Sequence, residues 1–465
     1  MAELIPLLYS NLGEYLSFSL SSFLKQIFYR CTNHLNKKTN EPIIYSDWHE
    51  LQHDLIENIL QRLNQVDRRR LSCVCKSWRS HVKQTKNRIA PQFPWLVLPH
   101  GPNCKSFSFF SMSEGAVHNF KLPKSAKGGL CVGSSQGWLI IIAGSEWDPK
   151  VYLSNPFSGS QYQLPSFTTI PSFMDSESSS QDPIYSLTSF IDKIVLSSTE
   201  PAEGIVAAIL DEGLVLAFCK PGDREWSVFR EPNEQAREFL DIEFCQDTLY
   251  AVDEEGDFAT YTVELTKRKL ILNIIPGSSI PINFPPEDVD DEFDVQIIKE
   301  ANQTLHLVES DGEILIVQSS VDYLITGVGE EGEDEVLEVE GEEELMELLL
   351  FRSFLYKSTT EFGVFKIDCS SGNLLVSNVN GLGDRMLFVS TSSSSISLSA
   401  RDFEGFRGNC IYFLIDNYYN SNFRPFVCRE SGVFYLENRR IERPFPSIRL
   451  PLQFRKCWFT PPQLY

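Results

Sequence analysis

Seven histidines and eleven cysteines are the side chains of this sequence that could bind a metal or act as nucleophile and base. Only His306 lies in the C-terminal half, and no Cys-x-x-Cys pair occurs, so neither a zinc module nor a disulfide framework is indicated. We expect no metal site, no cofactor and no catalytic residue, and therefore not an enzyme. Carboxylate pairs that only the fold brings together stay open. Scattered, unpaired cysteines are typical of a reducing compartment, nucleus or cytoplasm.

Residues 47–80 predict docking by an apolar helix surface. Six apolar residues recur there at helical spacing: Leu51, Leu55, Ile56, Ile59, Leu60 and Leu63. Asp67 is placed to cap a second helix, whose apolar residues are Leu71, Val74, Cys75, Trp78 and Val82. Because two short helices cannot bury both stripes against each other, the apolar surface requires a third partner. That partner is either the rest of the chain, as in an ordinary helical core, or another protein.

The residue identities of this segment resemble the F-box, by which adaptor proteins dock onto ubiquitin ligases. The match covers Leu51, Asp54 to Ile56, Ile59, Leu60, Arg62, Leu63, Asp67 and Val74 to Arg79. The resemblance implies docking on a Skp-type adaptor and, through it, on a cullin and a RING subunit. The implied docking residues are Leu51, Leu55, Ile56, Ile59, Leu60, Leu63, Val74 and Trp78. The family usually has proline where this chain has Gln52, which could weaken docking without abolishing it.

Charge agrees with this interpretation. Residues 62–88 carry nine Lys or Arg and one acidic residue, Asp67, so their net charge is nine minus one, or plus eight. Because the Skp subunit implied by the resemblance is acidic, this basic segment would speed the encounter more than it would add affinity. A nucleic-acid partner is not expected, since the whole chain has a net charge of −22 and would repel phosphate.

Length and composition set the rest of the organisation. The 465 residues predict about two to four domains. No apolar run reaches the roughly 18 residues of a membrane span, so we expect no membrane association. We assign residues 1–46 to an N-terminal extension with a candidate amphipathic helix, 47–86 to the F-box and 93–465 to a β-rich domain.

Short apolar runs separated by Gly, Asp, Asn and Ser follow residue 93, which predicts strands and tight turns. Five units show strand, polar turn with Gly, and strand: 207–219, 249–263, 305–317, 364–376 and 427–436. Their turn glycines are 43, 56, 60 and 60 residues apart, which fits four strands per unit with loops, as in propeller blades. We therefore predict an α + β multidomain chain with a small helical F-box and an all-β propeller of six or seven blades. Two β-sandwiches in tandem are the alternative.

Six stretches and the C-terminus resemble the plant KIB-type propeller family of F-box proteins: 134–141, 151–165, 216–226, 382–390, 408–417, 431–446 and 458–465. The resemblance covers nearly everything after residue 47. It implies a substrate receptor that docks on Skp and presents an unidentified protein target for ubiquitination. The alternatives are a propeller interaction module whose F-box is degenerate, which Gln52 keeps open, and a propeller enzyme, which an ordered cluster of histidine and carboxylate groups would support.

Three features of the β-rich domain have structural interpretations. Trp138 is predicted to fill a blade interface, and Asn155 to cap its own turn before Pro156. The acidic loop at 329–347 carries 11 Asp or Glu and no Lys or Arg. Such a block predicts a solvated loop and, if it functions, a basic partner.

Overall fold

The computed structural model describes the chain in two compact units, Met1–Gln92 with Pro461–Tyr465, and Phe93–Thr460. It describes residues 56, 60, 71–72, 76–84, 92–98, 105–145, 148–176, 188, 190–229, 237–246, 248–253, 256–264, 269–274, 297–327, 353–368, 375–419, 426–445 and 455–461. The N-terminal extension and the acidic loop at 329–347 lie outside these residues.

Most described residues of the first unit are helical. Helix α1 spans Lys76–Gln84, and Ile56, Leu60 and Leu71 are also helical. Trp78 and Val82 are buried one turn apart, while Lys76 and Arg79 are exposed, so α1 has the two faces that its residue spacing predicts. The helical state of the remaining F-box residues stays a prediction.

The strands of the described residues form six sheets, which are the blades of a β-propeller. Blade 1 contains β1 (Trp95–Val97), β2 (Ser106–Ser111) and β3 (Ala116–Lys121), with β25 (Trp458–Phe459) on its inner side. Blade 2 contains β4 (Leu130–Ser135), β5 (Trp138–Ser145), β6 (Asp148–Ser154) and β7 (Gln161–Gln163). Blade 3 contains β8 (Ile191–Leu196), β9 (Val206–Leu210), β10 (Val215–Cys219) and β11 (Ser227–Val228). Helix α2 (Pro171–Ser176) lies between blades 2 and 3 in the sequence.

The longest strands lie in blades 5 and 6. Blade 4 contains β12 (Phe239–Cys245), β13 (Thr248–Asp253), β14 (Phe258–Glu264) and β15 (Lys269–Ile274). Blade 5 contains β16 (Ile297–Ser310), β17 (Glu313–Gly327), β18 (Ser353–Asp368) and β19 (Leu375–Asn378). Blade 6 contains β20 (Arg385–Ser390), β21 (Ile396–Ser399), β22 (Cys410–Tyr419), β23 (Phe426–Tyr435) and β24 (Arg440–Glu442). Short 3₁₀ turns occupy Lys124–Ala126, Phe167–Thr169 and Ala400–Asp402.

The two ends of the propeller chain close the ring. In blade 1 the C-terminal β25 pairs antiparallel with the N-terminal β1, Trp95 opposite Phe459 and Leu96 opposite Trp458. The innermost strands then contact one another around the ring in the order β25, β4, β8, β12, β16 and β20 with β21. The propeller prediction is confirmed with six blades, and the alternative of two tandem sandwiches is wrong.

The cores lie between blades. One apolar cluster joins blades 2 and 3 and includes Trp138, whose indole Nε1 donates to the carbonyl of Thr199 at 2.9 Å. The predicted interface role of Trp138 is therefore confirmed. The Asn155 turn is confirmed as well, because its Oδ1 accepts from Phe157 N at 2.9 Å and Ser158 N at 3.0 Å.

Blade 6 departs from the usual antiparallel order. Strands β20 and β22 are parallel, so residues 391–409 must return the chain to its starting end before β22 begins. The predicted turn at Gly432 is wrong, because Gly432 lies inside β23 opposite Phe413. A Cβ on Gly432 would stand 2.7 Å from the Phe413 ring, so this glycine allows close packing of a strand rather than a turn.

Candidate functional sites

The predicted docking residues divide into two groups. Ile56, Leu60 and Trp78 are described, and all three are buried within the chain, at 2%, 1% and 4% exposure. Leu51, Leu55, Ile59, Leu63 and Val74 lie outside the described residues. A direct contact of the three buried side chains with a partner stays a prediction, and little of their surface is exposed in the chain by itself.

A second, buried site lies on the inner strands of the propeller. It contains Lys193 of β8, Asp241 and Glu243 of β12, His306 of β16, and Ser395 between β20 and β21; we call it the inner-strand cluster. Four of these side chains are about 2% exposed, and Ser395 is 9% exposed. The cluster therefore brings a lysine, two carboxylates and a histidine together away from solvent.

Asp241 connects three blades. Its Oδ1 accepts a hydrogen bond from the Lys193 ammonium of blade 3, and its Oδ2 accepts from the backbone N of Leu307 in blade 5 at 2.7 Å. Burial raises the pKa of Asp241, and the Lys193 charge opposes that rise. Removing two charges from water is costly, and a well-placed ion pair with further hydrogen bonds offsets that cost.

Glu243 extends the network to blade 6. Its Oε2 accepts from Ser395 N at 3.1 Å, and its Oε1 accepts from Phe244 N at 3.1 Å. Burial raises the pKa of Glu243 to about 7, the Lys193 charge lowers it, and the Asp241 charge adds to the rise. Glu243 therefore changes charge near neutral pH.

His306 is neutral in the folded chain. Burial, and to a smaller extent the Lys193 charge, lower the pKa of His306 to about 3. Its Nε2 is buried and has no hydrogen-bond partner among the described residues. A histidine that acts as general base needs an imidazole nitrogen within reach of a substrate proton. The His306 side chain is buried inside the propeller, so a substrate cannot reach it.

An ordered cluster of histidine and carboxylate groups is the feature that would support a propeller enzyme, and the inner-strand cluster contains such groups. Its geometry nevertheless favours a structural role. The carboxylate oxygens bind the ammonium group and backbone N–H groups of neighbouring blades. Charges so placed hold blades 3, 4, 5 and 6 in register at the centre of the ring, and their near-complete burial separates them from substrates.

We expect Glu243→Gln to become more stable than the wild type as the pH rises from about 4.5 to about 7. Folding raises the pKa of Glu243 from 4.5 to about 7, so its retained proton stabilises the wild type fully below pH 4.5. That stabilisation is lost as the pH rises through 7. Glutamine mimics the protonated form throughout, so the unfolding free energy of the variant should gain about 3 kcal/mol on the wild type. Urea denaturation at several pH values measures this difference.

The matched control is Glu404→Gln, at an exposed carboxylate near the 3₁₀ turn of blade 6. Lys193 and Asp241 lie beside residue 243 in both the wild type and the variant, so their contributions to stability largely cancel when the two proteins are compared. A Glu243→Gln variant whose stability follows the wild type at every pH would contradict the prediction.

A serine-rich segment, Thr391 to Ser395, crosses the middle of the ring. Ser394 N donates to Ser134 O of blade 2 at 3.0 Å, while Ser395 N reaches Glu243 of blade 4. Blades 2, 4 and 6 alternate around the ring, so a segment from blade 6 that binds both of the others must pass across its axis. Ser392 and Ser393 are 1% and 0% exposed. The centre of this propeller is therefore filled by its own chain.

The expectation of no catalytic residue overlooked one pattern. Residues Gly133 to Gly137 read Gly-Ser-Ser-Gln-Gly, the spacing of a nucleophile elbow with Ser135 at its centre. In the structure β4 ends at Ser135 and β5 begins at Trp138, so a hairpin turn stands where an elbow would lead into a helix. Ser135 Oγ is buried and accepts from Leu196 N at 2.9 Å and from Ser394 Oγ at 2.7 Å. This geometry assigns Ser135 to blade contacts.

A second pattern was also overlooked. His49 and His53 flank Glu50 in His-Glu-Leu-Gln-His, the spacing in which two helical histidines bind zinc. All of these residues fall outside the described ones, and the structure places none of their side chains. Among the residues that are described, no group of three or more His, Cys, Asp or Glu side chains is placed to hold a metal ion. No helix in that part of the chain has the length and apolar character to cross a membrane.

Comparison with protein families explains the propeller and the helical unit together. Residues 109–435, well over half of the chain, match the KIB1-4 beta-propeller family. The chain belongs to the KIB1-4 beta-propeller family. Residues 48–89 match the F-box domain. The protein therefore has the F-box and propeller arrangement of plant F-box proteins, and it is of the substrate-adaptor type.

Two Arabidopsis thaliana relatives align with this chain over most of their length. F-box protein At1g69090 is 22% identical over 89% of this chain and 92% of its own. F-box protein At2g26160 is 24% identical over 80% of this chain and 96% of its own. Among solved structures, a Lactobacillus plantarum protein is 9% identical at a TM-score of 0.32, covering 79% of this chain and 99% of that chain. Both families matched are typical of non-catalytic adaptors.

Proposed function

We propose that this KIB1-4 family protein is the substrate-recognition subunit of an SCF-type (Skp, cullin, F-box) E3 ubiquitin ligase. The observation that carries the proposal is the F-box match at 48–89 in the same chain as a closed propeller. The F-box docks on a Skp-type adaptor, and through it on a cullin and a RING subunit. The propeller holds a protein target, so the chain contributes proximity and no bond chemistry. We place this activity in the nucleus, the cytoplasm or both.

The burial of Ile56 and Leu60 reduces the number of residues that are candidates for the Skp contact. These two residues are four apart and helical, so they share one helix face, which is turned into the chain. Leu51, Leu55, Ile59 and Leu63 are also spaced by four, which predicts a neighbouring stripe. We assign the Skp contact to this second stripe and the support of its helix to the first.

The filled centre of the propeller bears on the target surface. Since the serine-rich segment occupies the axis, a target peptide has no open channel to enter there. The target would then bind on a face or at the rim, where loops from several blades combine.

Co-purification with a plant Skp-type subunit and cullin tests the docking step. We expect the wild type to capture both, and Leu55→Arg to lose at least about tenfold in capture, because a charge would have to be buried in an apolar contact. Leu55 is preferred to Leu60, since arginine at the buried Leu60 would also disturb the helical unit.

Leu375→Arg is the matched control, because Leu375 is a 56% exposed leucine on the outer strand β19 of blade 5. It receives the same substitution on the other unit and should capture Skp as the wild type does. Two results would contradict the assignment to a ligase: a folded wild type that captures no Skp, or a Leu55→Arg variant that captures as much Skp as the wild type.

The second candidate function is a propeller interaction module with a degenerate F-box, which acts without the ligase. Gln52, in place of the usual proline, is the observation that favours it. Gln52→Pro separates the two. Skp capture that appears only in this variant would support the second candidate, whereas wild-type capture, whether or not the proline strengthens it, supports the ligase subunit.

A further inference from the structure

Two cysteines meet at the seam where the propeller ring closes. Cys457 directly precedes the closing strand β25, and Cys131 lies in β4 of the neighbouring blade 2. Their Sγ atoms are 3.9 Å apart, although 326 residues separate them in the sequence. Both cysteines are 0% exposed, and neither is in a disulfide.

The surroundings hold both residues in place. The carbonyl of Cys457 accepts from Val97 N at 3.2 Å, which ties it to β1, and the Cys131 thiol points toward Gly133 O at 3.4 Å. The sulfurs of a disulfide are about 2.05 Å apart, so the pair must close by about 2 Å, which side-chain rotation and small strand shifts can supply. Cys219, Cys245 and Cys410, the other described cysteines, are free.

We propose that Cys131 and Cys457 form a redox-sensitive latch that closes the propeller ring covalently. The oxidant is a peroxide. One thiol loses its proton, and its sulfur attacks one peroxide oxygen, so that the O–O bond breaks and hydroxide leaves; the hydroxide takes up the proton as water and a sulfenic acid remains. The second sulfur, which also gives up its proton, then attacks the sulfenic sulfur and forms the S–S bond, and the hydroxyl group leaves with that proton as water. Two thiols and one peroxide thus become one disulfide and two waters.

The burial of both thiols favours a small oxidant over a large one. A thiol with no exposed surface is out of reach of glutathione disulfide, which must bring its own sulfur into line with the attacking one. Hydrogen peroxide is close to water in size and reaches the pair through small fluctuations of the seam. The bond would join β25 to β4, so the C-terminal strand could no longer leave blade 1 without breaking a covalent link.

The test is oxidation of the folded full chain with hydrogen peroxide, followed by non-reducing digestion and mass spectrometry. We expect a cross-linked peptide pair containing Cys131 and Cys457, with a mass lower by about 2 Da than the two thiols. We also expect the melting temperature to rise by roughly 5–10 °C, because the closed loop is long, and to return on reduction.

Cys457→Ala and Cys131→Ala should each abolish the rise in melting temperature, while Cys219→Ala, at a buried cysteine of blade 3, should keep it. If a cysteine variant fails to fold, the cross-linked peptide of the wild type still tests the proposal, because it is measured on the wild type alone. The proposal is overturned if folded wild type yields no Cys131 to Cys457 peptide, if the pair forms only in denaturant, or if the linked protein melts no higher than the reduced one.

Discussion

Lys193→Met is expected to destabilise the propeller by about 3–5 kcal/mol near neutral pH. The substitution keeps most of the side-chain volume but removes the ammonium group that binds Asp241. Both side chains of this pair are 2% exposed, so water cannot replace the lost partner. Asp241 and Glu243 would then share a buried site without a cation, and urea denaturation should show the loss as an earlier unfolding midpoint.

The loss should shrink as the pH falls. Burial already raises the pKa of Asp241 and that of Glu243, and the Lys193 charge holds both down. Without the lysine both carboxyl groups retain their protons to higher pH, and neutral carboxyl groups need no counter-charge. The loss of stability caused by Lys193→Met is therefore complete above the pKa values of Asp241 and Glu243 in the folded variant, and it decreases as the pH falls below them.

Lys366→Met provides the matched control. Lys366 binds Glu313 at 2.7 Å, but the two side chains are 40% and 52% exposed. Such a surface pair contributes less than about 1 kcal/mol, so this variant should unfold close to the wild type. If Lys193→Met were no more harmful than Lys366→Met, the inner-strand cluster would not be what holds the blades in register.

Gly133→Ala is expected to cost about 3 kcal/mol, with loss of the native packing at the centre of the ring. A Cβ at this position would lie 2.1 Å from the carbonyl oxygen of Ser392, a backbone atom that cannot rotate away. The serine-rich segment would have to move, and its contacts with blades 1, 2 and 4 would be lost together. Thermal and urea unfolding of the purified variant measure the effect.

Gly381→Ala is the control, since a Cβ there would come no closer than 3.6 Å to the Asn409 side chain. This is an ordinary contact distance, and the variant should differ little from the wild type. Equal stability of Gly133→Ala and the wild type would show that the serine-rich segment does not pack on blade 2 in solution.

The strand and turn patterns predicted the propeller, because each hairpin of a blade is formed by residues that are neighbours in the sequence. The turns at Gly213 and Gly312 join β9 to β10 and β16 to β17, as the strand, turn and strand pattern predicts. The spacing of these glycines did not mark equivalent points, however. Gly213 lies between the second and third strands of its blade and Gly312 between the first and second. The glycine spacing therefore does not measure blade length, and the blades themselves are unequal, since the first strands of blades 3 to 6 begin at residues 191, 239, 297 and 385.

The sequence by itself predicted the helical stripes, the β-rich domain and the propeller, because helical and strand periodicity and turn residues act over short distances. The F-box followed from residue identities that resemble that family, not from periodicity. The tertiary structure decided what lies at the centre. Ser392 to Ser395 resemble an exposed polar loop in sequence, yet they are buried, and groups of blades 1, 2 and 4 bind the hydroxyls of Ser392 and Ser394 and the backbone N of Ser395. The ion pair of Lys193 with Asp241 and the proximity of Cys131 to Cys457 were decided there too. Ring closure brings such residues together across tens to hundreds of positions, and no local pattern records that proximity.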